Sequence, residues 1–346
     1  MWRYVLKRIV LAFFTMFIIL SLTFILMKLL PFSKPVGNDE TQFAYYMNQV
    51  ALGYVADYRR PMPHLAEAPL FSFVDASRVR HYFYEVPVME QYFSWLKGIL
   101  TEWNWGTSTY IMPNVSAIVI IGKRLPVSIS INIISVLVSV PLGILLGIWA
   151  ALKKNKPTDH IISTGIMIFI SIPSFVLITF LMLIFAYTLH WLPTQWPANT
   201  AATATKVAGY VLPVVCLSFG SICGYARFTR AELCEVMSSE YLLLARTKGL
   251  TRRQAILRHA LRNAMVPIVP SILAEFIGIL SGSMILEQLY GIPGIGRLFV
   301  EALNQKDYNV LFVDMAIFTS IGLLAGVVLD LSYGFIDPRI RMGAKK

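Results

Sequence analysis

The sequence predicts an all-α integral membrane protein of six transmembrane helices, with a long extracytoplasmic segment after the first. Three observations carry that reading. Hydrophobic residues make up 56% of the 346-residue chain and charged residues only 14%, whereas a soluble domain carries about 25% charged residues. Six runs are each long enough for a bilayer core, which needs about 20 predominantly apolar residues. Lys and Arg also concentrate in alternate loops, the pattern that sets the orientation of membrane helices. The net charge of +11 is therefore a topology signal beside apolar spans and does not point to a nucleic-acid surface.

The first span, Ile9–Leu30, follows the basic start MWRYVLKR. It is too long for a signal-peptide core and no small-x-small cleavage site ends it, so it reads as a retained helix. Residues 1–30 form the tail and first span, 31–124 the extracytoplasmic segment, and 125–346 a five-helix core. The outer segment is rich in aromatic residues, among them Phe43, Tyr46, Tyr54, Phe83 and Trp95, enough for a small packed unit. Within it Tyr92, Trp95, Leu96, Ile99 and Leu100 recur at helical spacing, predicting an amphipathic helix over Glu90–Trp103. Two roles stay open for this segment: a cap over the helix ends, or a docking surface for an external substrate-delivery protein.

The remaining spans are Ser128–Leu152, Ile161–Leu189, Val207–Phe228, Met265–Leu286 and Val310–Gly334. Pro141, Pro173 and Gly322 fall inside them, which membrane helices tolerate. Gly143/Gly147 and Gly278/Gly282 have the spacing that lets two helices approach closely. With the N-terminus inside, the cytoplasmic side collects Arg3, Lys7, Arg8, Lys153, Lys154, Lys156, Arg227, Arg230, the basic loop after the fourth span, and the basic C-terminus. The short outer loops hold only Lys206, Arg297 and Lys306. Both termini are thus expected in the cytoplasm.

The three cysteines, Cys216, Cys223 and Cys234, show no CxxC pattern and read as small buried hydrophobes. His64, His81, His160, His190 and His259 are scattered and form no metal-ligand pattern. Trp191 and Trp196 are expected at the membrane interface. Gly291–Gly296 contains Gly-x-x-Gly-x-Gly, but its place between two spans on the outside rules out a nucleotide site and suggests an outer gate or re-entrant turn.

The basic loop 232–264 is the most specific stretch. Ser238 or Ser239 can cap a short helix that carries Glu240 in its first turn and stops at Gly249. Thr251-Arg252-Arg253-Gln254 has the form of a capping box that starts a second helix running to about Leu261. Leu243, Leu244 and Ala245 make an apolar edge with Arg246 and Lys248 beside it. On physical grounds alone, this pair could lie on lipid headgroups or be gripped by a soluble partner.

Ala245-Arg246-Thr247-Lys248-Gly249-Leu250, followed by Arg258-His259-Ala260-Leu261-Arg262-Asn263-Ala264, resembles the EAA-type loop of binding-protein-dependent ABC permeases, in their dipeptide/oligopeptide branch. Ser171-Ile172-Pro173-Ser174-Phe175, Trp191-Leu192-Pro193, Tyr225-Ala226-Arg227, Gly291–Gly296, Asp307-Tyr308 and Asp337-Pro338-Arg339 are also similar to that branch. The resemblance covers roughly Gln91 to Arg341 and matches little of Pro31–Glu90. Two places depart from it: Trp103-Asn104-Trp105-Gly106 stands where Gly-Asp-Leu-Gly is usual, and Asn309 stands where Pro is common.

The resemblance implies a bacterial cell-membrane permease working with a homologous second permease, two cytoplasmic ATPase subunits and an extracytoplasmic solute-binding protein. Its cargo would be a peptide. The loop between the fourth and fifth spans would then be a coupling helix, with Leu243, Leu244, Ala245, Arg246, Lys248 and Gly249 meeting the ATPase. No G-x-x-x-x-G-K-[ST] phosphate loop is present, so ATP and Mg would be bound by the partners.

Two acids are candidates for the translocation path. Glu275 lies mid-way along the fifth span and Asp314 near the outer end of the sixth, where a carboxylate costs about 3 kcal/mol unless it faces protein or water. For Glu275 a hydrogen bond between helices is the plainer alternative. Asp330 is expected to anchor the tail Asp337–Arg341. A permease for nickel chelates or another small solute is the nearest alternative function. An ATP-independent transporter or channel is more distant, since neither internal repeats nor intramembrane acid–base pairs are evident.

Overall fold

The computed structural model describes residues 2–29, 37–62, 68–278 and 283–336. In chain order the helices are α1 (Trp2–Lys28), α2 (Asp39–Ala51), α3 (Val88–Glu102), α4 (Ala117–Leu152), α5 (Pro157–Ile170), α6 (Ser174–Leu181), α7 (Thr203–Met237), α8 (Glu240–Thr247), α9 (Arg252–Ala255), α10 (Leu261–Gly278), α11 (Met284–Tyr290), α12 (Ile295–Gln305) and α13 (Tyr308–Ile336). A π-helical turn, Met182–Thr188, prolongs α6, and another, Ile256–Ala260, joins α9 to α10. Strands β1 (Val55–Tyr58), β2 (Phe71–Val74) and β3 (Arg80–Glu85) lie between α2 and α3.

Among the described residues five helices are long and apolar enough to cross a membrane: Val5–Lys28, Ala117–Leu152, Thr203–Met237, Arg252–Gly278 and Tyr308–Ser332. The count reaches six only if one bent pair of helices is taken as a single span. The expected continuous run Ile161–Leu189 is broken, with Pro157–Ile170 and Ser174–Thr188 meeting at 99°. Pro173 explains the break, because it donates no N–H and disfavours helical backbone in the residue before it. The expected fifth span Met265–Leu286 also shifts: its helix ends at Gly278 and Leu286 belongs to α11. Gly282, half of one predicted close-approach pair, lies outside the described residues.

The chain forms two compact units. The first comprises Met1–Ala12, Leu125–Arg297 and Ile321–Lys346. Its core gathers Ile131, Ile178, Leu212, Cys216, Leu286, Tyr290 and Ile292. Helices α4 and α7 meet over Gly143 and Gly147, as their spacing predicts. A Cβ at Gly143 would stand 2.6 Å from Tyr225 Cβ, and one at Gly147 would stand 2.6 Å from the Ala226 carbonyl oxygen. All three cysteines are buried free thiols. Trp191 is exposed, whereas Trp196 packs its ring 4.9 Å from Tyr210 and donates its backbone N–H to Tyr290.

The second unit comprises Phe13–Arg124 and Leu298–Ser320. It contains a three-stranded antiparallel sheet of order β1-β3-β2, and an isolated antiparallel bridge joins Thr107 to Ser116. Between the sheet and α2, Phe71 and Phe83 stack on Tyr46, while Phe43 stacks on Phe73 and meets Phe83 edge-on. Phe71 and Phe73 alternate along β2, and β3 carries the consecutive aromatic residues Tyr82, Phe83 and Tyr84, a composition that suits strands. Helix α3 packs as its periodicity predicts, with Trp95 buried against Phe24 and Phe312, while Leu100 stays exposed.

Candidate functional site

The basic loop folds on a small apolar core that it shares with Ala151 and Ile148 of α4. Leu233, Cys234, Leu242, Ala255, Ile256, Ala260 and Ala264 bury one face of α8 and of the helix after it. Leu242 is 5% exposed, but its neighbours Leu243 and Leu244 are 62% and 56% exposed. Ala245 is half-buried, and Arg246 and Lys248 are exposed beside the two leucines. Gly249 turns the corner at φ +95°, with open space where a Cβ would sit, so backbone conformation rather than crowding demands glycine there.

The capping box at Thr251 forms as predicted. Gln254 N–H donates to Thr251 Oγ1 at 3.3 Å and Thr251 N–H donates to Gln254 Oε1 at 3.1 Å. Two details differ from expectation. Ser239 occupies the N-cap of α8 without capping it, because its hydroxyl donates back to the Val236 carbonyl at 2.6 Å. The second helix does not stop near Leu261; it runs through the π turn into the span as one 27-residue element, Arg252–Gly278. A load on α8 is thereby one glycine corner away from a membrane helix.

The candidate path acids lie in different units. Glu275 accepts a hydrogen bond from Ser221 Oγ of α7 at 2.5 Å and is half-buried. Asp314, in α13, has no exposed surface. Asp330 pairs with Arg8 at 3.0 Å. Its partner among the described residues is the first helix, while the tail 337–341 that it was expected to anchor lies outside them. This ion pair joins α1 to α13.

The Gly291–Gly296 motif closes around a carboxylate one residue beyond the predicted fifth span. Glu287 is 2% exposed. Its Oε1 accepts from Ser128 Oγ at 2.7 Å and its Oε2 from the Arg297 N–H at 2.9 Å. Ser128 Oγ in turn accepts the Ile295 N–H at 2.9 Å. Serine and glutamate together thus satisfy the first donors of α12. Burial pushes the Glu287 carboxyl above the ordinary glutamate range, against the hydrogen bonds that pull it down. A Cβ on Gly294 would overlap the Glu287 carboxyl, and one on Gly296 would stand 2.7 Å from the Met284 nitrogen. The glycines are there because backbone and carboxylate meet at close range.

In the second unit Asp307 does similar work. Its Oδ2 accepts the backbone N–H groups of Thr109, Tyr110 and Ile111 at 3.1, 3.0 and 3.1 Å. Next to it Asn309 Nδ2 donates to the Thr107 carbonyl at 2.8 Å and packs against Gly106. One departure, Asn309, therefore sits against the glycine that closes the other. In the first unit Arg230 grips Asp159 with two bonds, Nε to Oδ1 at 2.6 Å and Nη2 to Oδ2 at 2.8 Å. Reading the sequence singled out neither Glu287 nor Asp159. Their only signal is an acid at the margin of an apolar run.

Residues 143–342 match the family described as binding-protein-dependent transport system inner membrane component. The chain belongs to this family. As an inner membrane component it is a transport subunit and not an enzyme. It is 31% identical over 348 residues to the dipeptide transport system permease protein DppB of Bacillus subtilis, covering 100% of both chains. It is 33% identical over 342 residues to the oligopeptide transport system permease protein OppB of Escherichia coli K12, covering 99% of this chain and 100% of that one. The similarity thus extends through 31–90, beyond the Gln91–Arg341 stretch of the motifs. A chain of the inward-facing MetNI methionine ABC transporter shares the fold, with a TM-score of 0.51 at 15% identity over 63% of this chain and 96% of that one.

Proposed function

We propose that this inner membrane component is the permease subunit of an ATP-driven peptide importer. It forms half of a translocation path with a homologous second permease. Two cytoplasmic ATPase subunits and an extracytoplasmic solute-binding protein complete the assembly. The observation that carries this reading is α8, which buries Leu242 and holds Leu243 and Leu244 outward beside Arg246 and Lys248. Two adjacent exposed leucines framed by cations suit the groove of a soluble partner. The full-length similarity to dipeptide and oligopeptide permeases supports peptide as cargo.

In this scheme both chain ends are cytoplasmic, in keeping with the Arg8–Asp330 pair and the distribution of basic residues. ATP closes the ATPase pair and changes its grip on α8. The load passes through the Gly249 corner and the capped start of Arg252–Gly278 into the membrane. ATP shifts the equilibrium between access states only to the extent that the two ATPase arrangements bind α8 differently. The test is uptake of labelled di-, tri- and longer peptides in cells with and without the chain, each with and without ATP depletion. Loss of ATP-dependent uptake on deletion supports the reading, and unchanged uptake at every length overturns peptide as the cargo.

A further inference from the structure

A cavity of about 290 Å³ opens between α5 and α7 in the first unit, lined by His160, Ser163, Thr164, Met167, Arg227 and Arg230. It is roomy beside the roughly 10–15 Å³ of such space that one water needs. Its acid is already neutralised. Asp159 accepts two bonds from Arg230, the Asn155 N–H at 3.0 Å and the Ser163 hydroxyl at 3.2 Å. Arg227 is exposed and has no ion-pair partner among the described residues. The Ser163 hydroxyl is spent on that acid, so the cleft presents an uncommitted guanidinium, an imidazole and the Thr164 hydroxyl, which together make a seat for an oxyanion.

The arrangement along α5 says which oxyanion. His160, Thr164 and Met167 follow at i, i+4 and i+7, so they share one stripe of the helix. The stripe is polar at the start of α5 and apolar further in, where Met167 and Ile168 are 63% and 57% exposed. The exposed lysines Lys153, Lys154 and Lys156 stand just before that start. A free phosphate uses only the polar end. A phospholipid uses both, with its phosphate among the cations and its acyl chains along the apolar continuation. Basic pockets between membrane helices on the cytoplasmic side hold anionic headgroups in this way.

We propose that the α5–α7 cleft binds the phosphate headgroup of an anionic phospholipid. The inference rests on the membrane-spanning orientation given above, but not on the identity of the cargo. The experiment uses the full chain, purified in mild detergent with whatever subunits accompany it, and counts retained lipid by native mass spectrometry. Phosphatidylglycerol, phosphatidylcholine and inorganic phosphate are each titrated in.

Selective retention of phosphatidylglycerol is expected. Arg227→Gln should lower that retention about fivefold, the effect of one cation near a charged headgroup. Thr164→Leu, which leaves the Asp159–Arg230 pair untouched, should lower it as well. Equal retention of the two lipids, unchanged retention in both variants, or displacement of the lipid by inorganic phosphate would overturn the proposal. The lipid count needs no transport, so a chain that binds phosphatidylglycerol selectively yet imports no peptide would sink only the functional reading.

Discussion

Ser108 Oγ donates to Asp307 Oδ2 at 2.5 Å, and the same oxygen takes three consecutive backbone N–H groups from the loop after Ser108. One buried carboxylate thus organises a loop nearly two hundred positions away in sequence. Asp307→Ala leaves those donors without an acceptor, at about 1–3 kcal/mol for each buried group left unsatisfied. We expect a clear fall in the melting temperature of the purified protein in detergent, and a smaller fall for Asp307→Asn, which keeps one acceptor oxygen. A melting temperature unchanged in Asp307→Ala would sink this account.

Glu287 ties a pH dependence to the start of α12. Its folded value is raised by burial above the ordinary 4.5. The protonated fold is therefore favoured: the contribution is full below about 4.5 and is lost as pH rises through the raised value. Melting curves across that window should slope downward with pH for the native chain and flatten for Glu287→Gln. At low pH the glutamine variant should match the native chain within about 1 kcal/mol, because the protonated carboxyl likewise carries hydrogen on one side and accepts fully on the other. Parallel slopes for the two proteins would contradict the assignment. Gly294→Ala should be costlier than either, since its methyl has nowhere to go.

Adjacent leucines in α8 should separate coupling from folding. Leu243→Asp changes an exposed position and should leave the melting temperature within about 0.5 kcal/mol of native stability. It should nevertheless abolish co-purification of the ATPase and ATP-driven uptake. Leu242→Asp places a charge in the loop core and should reduce the yield of folded protein outright. Normal uptake by Leu243→Asp would remove α8 as the contact.

The Gly249 corner is a matter of backbone strain alone, because nothing lies within 4 Å of its missing Cβ. Gly249→Val should cost about 1–2 kcal/mol locally, and the corner can relieve that strain by moving α8. Uptake should fall while the ATPase activity of the assembled complex becomes less responsive to substrate. Gly249→Ala should give an intermediate value. Intact uptake in the valine variant would show that the corner does not transmit the load.

Glu275→Gln tests the path directly. The amide oxygen can still accept the Ser221 bond, so stability should hold. If the carboxylate faces the cargo, peptide uptake should drop by about tenfold for one lost charge-assisted contact. Unchanged uptake and unchanged length selectivity would confine Glu275 to joining α7 and α10.

Much of the basic loop was legible in the sequence. Thr251 and Gln254 cap each other because a capping box involves four consecutive residues, and Gly249 stops a helix for a reason local to its own φ. The Gly143/Gly147 pair was legible too, since small residues at that spacing favour one kind of neighbour. Ser239 misled because a serine hydroxyl has two local options, and the Val236 carbonyl won. The break at Pro173 was visible as a proline but not as a 99° bend, which depends on what the following helix packs against. The sheet in the outer segment escaped notice because its strands are short and aromatic residues serve helices and strands alike.

By itself, then, the sequence determined what depends on neighbouring residues and on the solvent: the apolar spans, the distribution of basic residues, the helix caps, the glycine corner and the family. Only the tertiary structure decided the partners of Asp159, Glu287, Asp307 and Asp330. A buried carboxylate must find donors wherever the fold supplies them, and those donors came from segments tens to hundreds of residues away. The same holds for Leu242 and Leu243, alike in chemistry and adjacent in sequence, which one helical turn against a small core sends to opposite fates.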